Sequence, residues 1–276
     1  MTSTVFCSPT GITILAACIE LMWQEGKFRH GSVQLSKNPM AVKYLQRMDF
    51  FNELNIDLDE DFERKEPVGF RPVTHVDDEK SAAAAAKDLV AAVSERNEMD
   101  GATTSSLNTC FSEVVENVFY HAESPIDALV CVQAYKQSYG KKPARTELVI
   151  VDGGRGIRAA LAESEKYVDQ LPDDASAIAL ALEKNVSNTG DDRRGIGLWV
   201  ASEVVRRNEG QMLIVSKEGA LRVDQNGVQR IDGHYWPGTI VTIELRMDRP
   251  IDTKPVYDSV DWTAIPGEGD LDHLDF

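Results

Sequence analysis

From Leu107 to Ala122, apolar residues fall at positions 111, 114, 115, 118, 119 and 122. This i, i+3, i+4, i+7 stripe predicts an amphipathic helix with one face turned to a core. Helical spacing recurs from Ile12 to Gln24, after the break Ser8-Pro9-Thr10-Gly11 and before Gly26, and again from Met40 to Leu54. Asp78 to Asn97, with its alanine run Ala82–Ala86, predicts a helix by propensity. Gly101 and Ser105–Ser106 are expected to separate it from the next helix. Two more helices are expected over Ala175–Lys184 and Leu198–Asn208, the second closed by Gly210 as its C′ glycine. Strands are expected at Thr4–Cys7, Val33–Leu35, Ala128–Tyr135, Glu147–Val151, Met212–Ser216, Ala220–Val223 and Thr239–Leu245, with a turn over Ser138–Pro143.

These elements divide into a small α/β unit over residues 1–58, a linker over 59–78, a larger α/β domain over 79–247, and a Pro- and Asp-rich acidic tail over 248–276. The apolar stretch Ile12–Ile19 is too short to span a bilayer, and no basic segment precedes it, so neither a membrane anchor nor a signal peptide is expected. Cys7, Cys18, Cys110 and Cys131 are scattered without metal or redox spacing, which fits buried thiols in a reducing cytoplasm. The net charge of −16 disfavours direct nucleic-acid binding through a broad surface and leaves room only for a local basic pocket.

Three segments carry candidate chemistry. On the helix Leu107–Ala122, Glu113, Asn117 and His121 are spaced by four and form one polar line beside the apolar stripe. Asn117 offers a neutral oxygen suited to a magnesium ion already carrying phosphate oxygens. Glu113 could orient or deprotonate a water or hydroxyl as the catalytic base. The plain alternative is a solvated helix face. Next, the strand ending at Val151 runs into Asp152, with Gly153, Gly154, Gly156 and then Ile157. A carboxylate there could accept a hydrogen bond from an exocyclic amine, and the glycines would let backbone approach a ring. The alternative is a tight strand-to-helix turn. Last, Arg193 and Arg194 precede Gly195-Ile196-Gly197-Leu198 at a helix entry. Free N–H groups and two guanidiniums could face a phosphate there, or the segment is an ordinary helix start. Gly238-Thr239 before the last strand is a weaker fourth signal.

The order of these segments resembles the gyrase, chaperone, histidine-kinase and mismatch-repair (GHKL) ATP-binding superfamily over about residues 80–247. Glu113-x-x-x-Asn117 looks like its N box, Asp152-x-Gly154-x-Gly156 its G1 box, Gly195-x-Gly197 its G2 box, and Gly238-Thr239 its last glycine box. His121 is similar to the anti-sigma-factor kinase branch, where a basic or polar residue holds that place. The resemblance implies a two-layer α/β sandwich with a mixed sheet, with ATP and magnesium as cofactors. Asp152 would contact adenine and Asn117 would hold the metal. The nucleotide contacts would come from Asn117, His121, Asp152, Gly154, Gly156, Ile157, Arg193, Arg194, Gly195, Ile196, Gly197, Leu198 and Thr239. Residues between Ile157 and Arg194 would form a mobile lid, and Lys184 would be a further phosphate candidate.

Phe6–Leu21, Val33–Leu35 and Tyr44–Ile56 resemble part of a STAS domain, the fold of anti-sigma-factor antagonists, with Pro9 at the place of their phosphorylatable serine. This implies either a truncated unit or one whose missing strands come from a partner, with a protein partner or self-association expected through it. Three functions follow: an ATP-dependent switch with slow hydrolysis, a serine/threonine protein kinase of the anti-sigma type, and a non-catalytic ATP-binding interaction module. An autophosphorylating histidine kinase is disfavoured, because none of the five histidines has a clear phosphoacceptor context.

Overall fold

The strands β2 (Ala128–Tyr135) and β3 (Arg145–Asp152) carry unbroken apolar runs, Leu129–Val132 and Leu148–Val151. Alternate side chains of a strand point to opposite faces. Here both faces are buried, and each has its own core. Val130, Val132, Leu148 and Ile150 enter the larger core, whereas Leu129, Cys131, Val149 and Val151 enter the smaller. The pairing Val130↔Ile150 and Leu129↔Val151 keeps the two sets apart across the ladder.

The computed structural model describes residues 7–27, 34–64, 66–137, 143–187 and 195–259, the side chains of 118–120 excepted. Its sheet also contains β1 (Phe70–Val76), β4 (Gln211–Lys217), β5 (Gly219–Asp224), β6 (Gly227–Arg230) and β7 (Trp236–Arg246). The order is β1-β2-β3-β7-β4-β5-β6. Every pair in it is antiparallel, which corrects the expected mixed sheet.

On the larger core lie α4 (Glu79–Ser94), α5 (Gly101–His121) and α8 (Gly197–Arg207). Asp78 caps α4 with a reciprocal Ser81 capping box, which fixes its start. Phe111, Val114, Val115 and Ala122 turn the described part of the α5 stripe into this core. The expected separator at Gly101 and Ser105–Ser106 is instead the first turns of α5. Ser106 is buried there and accepts a bond from the Thr253 N–H at 3.0 Å. Thr253 belongs to the expected tail, of which Ile251 and Val256 are core residues and Lys254–Tyr257 forms α9. Only residues 260–276 of that tail lie outside the described residues.

On the opposite face lie α1 (Pro9–Gln24), α2 (Pro39–Arg47) and α3 (Phe50–Glu53). The helix expected over Met40–Leu54 is broken at Asp49, whose φ of 55° is left-handed. Ile12, Ala16, Ala17, Phe50, Phe51 and Leu54 share one core with Val73, Leu129, Val149 and Val151 of the sheet. This corrects both the separate unit over 1–58 and the two-layer sandwich, because over β1–β3 the sheet is covered on both faces. It also corrects the linker over 59–78, since Phe70–Val76 is an edge strand. The strand expected at Val33–Leu35 is absent over the described Gln34 and Leu35. Residues 4–6 and Val33 of the two expected strands, and 138–142 of the expected turn, lie outside the described residues. Among the described residues no helix is long and apolar enough to cross a membrane.

Candidate functional site

The helix α5 runs beneath both ends of the candidate site. Near its middle, Glu113 sits against Gly197, the first residue of α8. A Cβ at 197 would fall on the Glu113 carboxylate and come to 3.0 Å from its Cβ, so a larger residue there would have to displace the Glu113 side chain. Gly195, at φ 85°, turns the chain into α8, and Ile196 gives that helix no side-chain cap. The N–H groups of a helix's first turn have no acceptor within the helix, so the start of α8 presents donors outward. Glu113 is largely buried, and burial, with the Glu116 carboxylate second, pushes its acid up to about 7. A carboxylate held there is close to half protonated at neutral pH, the range in which a base can both take and return a proton.

One turn on, the Asn117 amide Nδ2 is buried with no hydrogen-bond partner among the described residues. An amide's nitrogen and oxygen can exchange places by a half-turn, so that position can equally hold Oδ1. A buried unpaired polar group is costly and marks a place where a ligand atom would be stabilising. Another turn on, the backbone carbonyls of His121 and Ala122 accept bonds from Arg155 Nε and Arg155 N–H, both at 2.8 Å. The C-terminal end of α5 is thereby fixed to the loop that follows β3.

That loop begins at Asp152, which is 1% exposed. Its Oδ1 accepts from the Gly154 N–H at 2.7 Å, and Thr239 is close enough to help lower its acid. A carboxylate has about four acceptor positions, so Asp152 keeps room for a further donor. Burial pushes the Asp152 acid up to about 6, the hydrogen bonds and the Lys217 charge pulling the other way, so it is mostly ionised at neutral pH. Gly238 lies directly on Asp152, and any side chain there would collide with its carboxylate and carbonyl. The loops at 152–156 and 238–239 are thus one packed unit.

The sequence did not single out three residues that hold this unit. Ser216 Oγ accepts from the Ile157 N–H at 3.0 Å and donates to the Gly238 carbonyl at 3.2 Å. Lys217 Nζ donates to the carbonyls of Gly154, at 3.1 Å, and of Pro237. Trp236 Nε1 donates to the Asp152 carbonyl at 2.6 Å. Ser216 and Lys217 end a strand, and nothing in their local pattern marks them.

The other expected residues are placed less directly. Gly156 caps α6 (Ile157–Leu161) at φ 79°. Ile157 and Leu198 are half-buried against the larger core, and Ile196 is inside it. Lys184 donates to the Ser259 carbonyl at 3.0 Å and lies over the Trp199 ring. Arg193 and Arg194 lie outside the described residues. Much of the expected lid is a packed layer: Leu161, Tyr167, Leu171, Ala177 and Leu180, the last two from α7 (Asp174–Ala181), form a third small core.

No protein-family model and no curated protein matches the chain. Among the described residues no three His, Cys, Asp or Glu side chains are grouped to hold a metal ion by themselves. A cation near Asn117 would therefore need most of its oxygen ligands from elsewhere, as magnesium does when it arrives with phosphates and water. The site thus offers an amine-accepting carboxylate at one end. At the other are a buried amide, a carboxyl acid near neutrality and a helix N-terminus. Eight residues of helix, about 12 Å, separate Glu113 from His121 between the two ends.

Proposed function

We propose that the chain is an ATP-binding regulatory protein of the GHKL type, in which ATP with magnesium operates a switch and is hydrolysed slowly. The observation that carries the reading is that the start of α8 and the loop after β3 both pack on α5, with the Gly238 turn packed in turn on that loop. Gly197 lies on Glu113, Ala122 on the Gly154–Arg155 backbone, and Gly238 on Asp152. Asp152 would accept from the adenine amine through a free acceptor position of its carboxylate. Asn117 would give one oxygen to a magnesium ion bound jointly with the phosphates. The α8 N-terminus would take phosphate oxygens. Bound magnesium would neutralise phosphate charge, and Glu113 would hold or remove the proton of the attacking group.

The raised acid of Glu113 favours a second reading of the same site. A base poised near neutrality serves a protein serine or threonine hydroxyl as well as water, so a kinase of the anti-sigma type remains the alternative. Incubating the protein with γ-labelled ATP and magnesium, alone and with cell lysate, separates the cases. Slow release of free phosphate by the protein alone is the expected result. Label on a partner protein would move the function to a kinase. ATP binding without turnover under either condition would leave a non-catalytic module.

A further inference from the structure

Lys217 occupies an unusual place. It is a non-glycine residue at φ 53°, at the end of β4 where the β4–β7 register shifts between Ser216 and Lys217. A left-handed backbone is unfavourable for a branched-free but bulky side chain and is kept where surrounding contacts determine it. The contacts here are specific. The turn aims the ammonium between two loops, where it donates to the Gly154 carbonyl of one and the Pro237 carbonyl of the other. The preceding Ser216 hydroxyl makes a second pair of bonds across the same gap, to the Ile157 N–H and the Gly238 carbonyl. Asp152 begins the first of these loops, has Gly238 of the second packed on its carboxylate, and feels the Lys217 charge.

We infer that Lys217 is a positioning and specificity-determining residue, which pins the two glycine loops together and keeps Asp152 as the carboxylate that selects an amino-bearing base. This rests on the ATP reading of the site for its ligand, but not for its effect on Asp152. Burial raises the Asp152 acid, Gly154 and Thr239 lower it, and the Lys217 ammonium lowers it further as the cation among these causes. With the lysine in place, Asp152 accepts from an exocyclic amine. Once protonated, it would donate and would no longer disfavour a base with a keto oxygen at that position.

The test uses Lys217→Met, which removes the charge and keeps the length, and Lys217→Arg, which keeps the charge. The first readout is the Asp152 carboxyl titration by 13C NMR without nucleotide, assigned with Asp152→Asn. The midpoint should move up in Lys217→Met and return toward wild type in Lys217→Arg. The second is ATP and ITP affinity across pH. An upward shift lowers the ionised fraction most near pH 6, so Lys217→Met should weaken ATP affinity several-fold at pH 6, change it little at pH 8, and narrow the preference for ATP over ITP. A folding defect alone would weaken binding equally at both pH values. An unchanged Asp152 midpoint in Lys217→Met overturns the inference even if ATP binds. A shifted midpoint in a protein that binds neither nucleotide supports the Asp152 part and overturns the ATP reading instead.

Discussion

Glu113 is a largely buried carboxyl group whose acid stands near 7, against about 4.5 in an unfolded chain. A folded-state value raised in this way means that folding favours the protonated form. The associated stability is complete below about pH 4.5 and is lost as pH rises through about 7. Glu113→Gln keeps the neutral shape at every pH. It should stabilise the protein at pH 8 by an amount on the order of 1–3 kcal/mol and change little at pH 5. Melting curves at the two pH values check this, and equal effects at both would show that Glu113 is not held protonated by burial. The individual residues differed in how readable they were. Glu113, Asn117, Asp152 and Gly197 stood out because helical spacing and strand-end glycines are local patterns. Lys217 and Trp236 did not, since their partners are Gly154, Pro237 and Asp152, between 20 and 84 positions away in the chain.

Among the elements, the helices and central strands were legible because each buries a continuous stripe or run. Ala128–Tyr135 was read to the residue. The edge strand Phe70–Val76 was missed, since it carries Pro72 and Arg71 and alternates weakly. The placement of α1 to α3 was also missed, although the unbroken apolar runs of β2 and β3 signalled that both faces of those strands are covered. His75 shows how firmly that layer is joined to the sheet. It stands on β1, with Nε2 3.0 Å from Glu20 of α1 and 3.3 Å from Glu53 of α3. The bond to Glu20 is the main cause that raises the His75 value above 6.5, whereas burial raises Glu53. The stability this pair gives is therefore full below about pH 6.5 and lost as pH rises through the folded value. His75→Gln keeps a neutral hydrogen bond and no charge. Discounting for partial exposure, it should cost about 1 kcal/mol, roughly 2–4 °C in melting temperature, at pH 6 and much less at pH 8. A change that is the same at both values would mean that the imidazolium does not join these elements.

For the whole molecule, the α/β class followed from the alternation of helical and strand periods, and the antiparallel order did not. Strand direction depends on which elements become neighbours, and in this chain β7 inserts between β3 and β4 from the far end of the domain. That insertion is what lays Gly238 on Asp152 and turns two weak turn signals into one packed loop pair. The α5 helix then joins this pair to Glu113, Asn117 and the start of α8. The central claim is that this assembly binds ATP together with magnesium. Calorimetry of ATP with and without magnesium, on wild type, Asn117→Ala and Asp152→Ala, tests it most directly. Wild type should bind ATP much more tightly with magnesium, and Asn117→Ala should lose that magnesium-dependent gain. Asp152→Ala should weaken binding by about 1–3 kcal/mol, the usual loss when a buried polar partner is removed. Wild-type protein that binds no ATP, or an Asn117→Ala protein that binds ATP with magnesium as wild type does, would contradict the account.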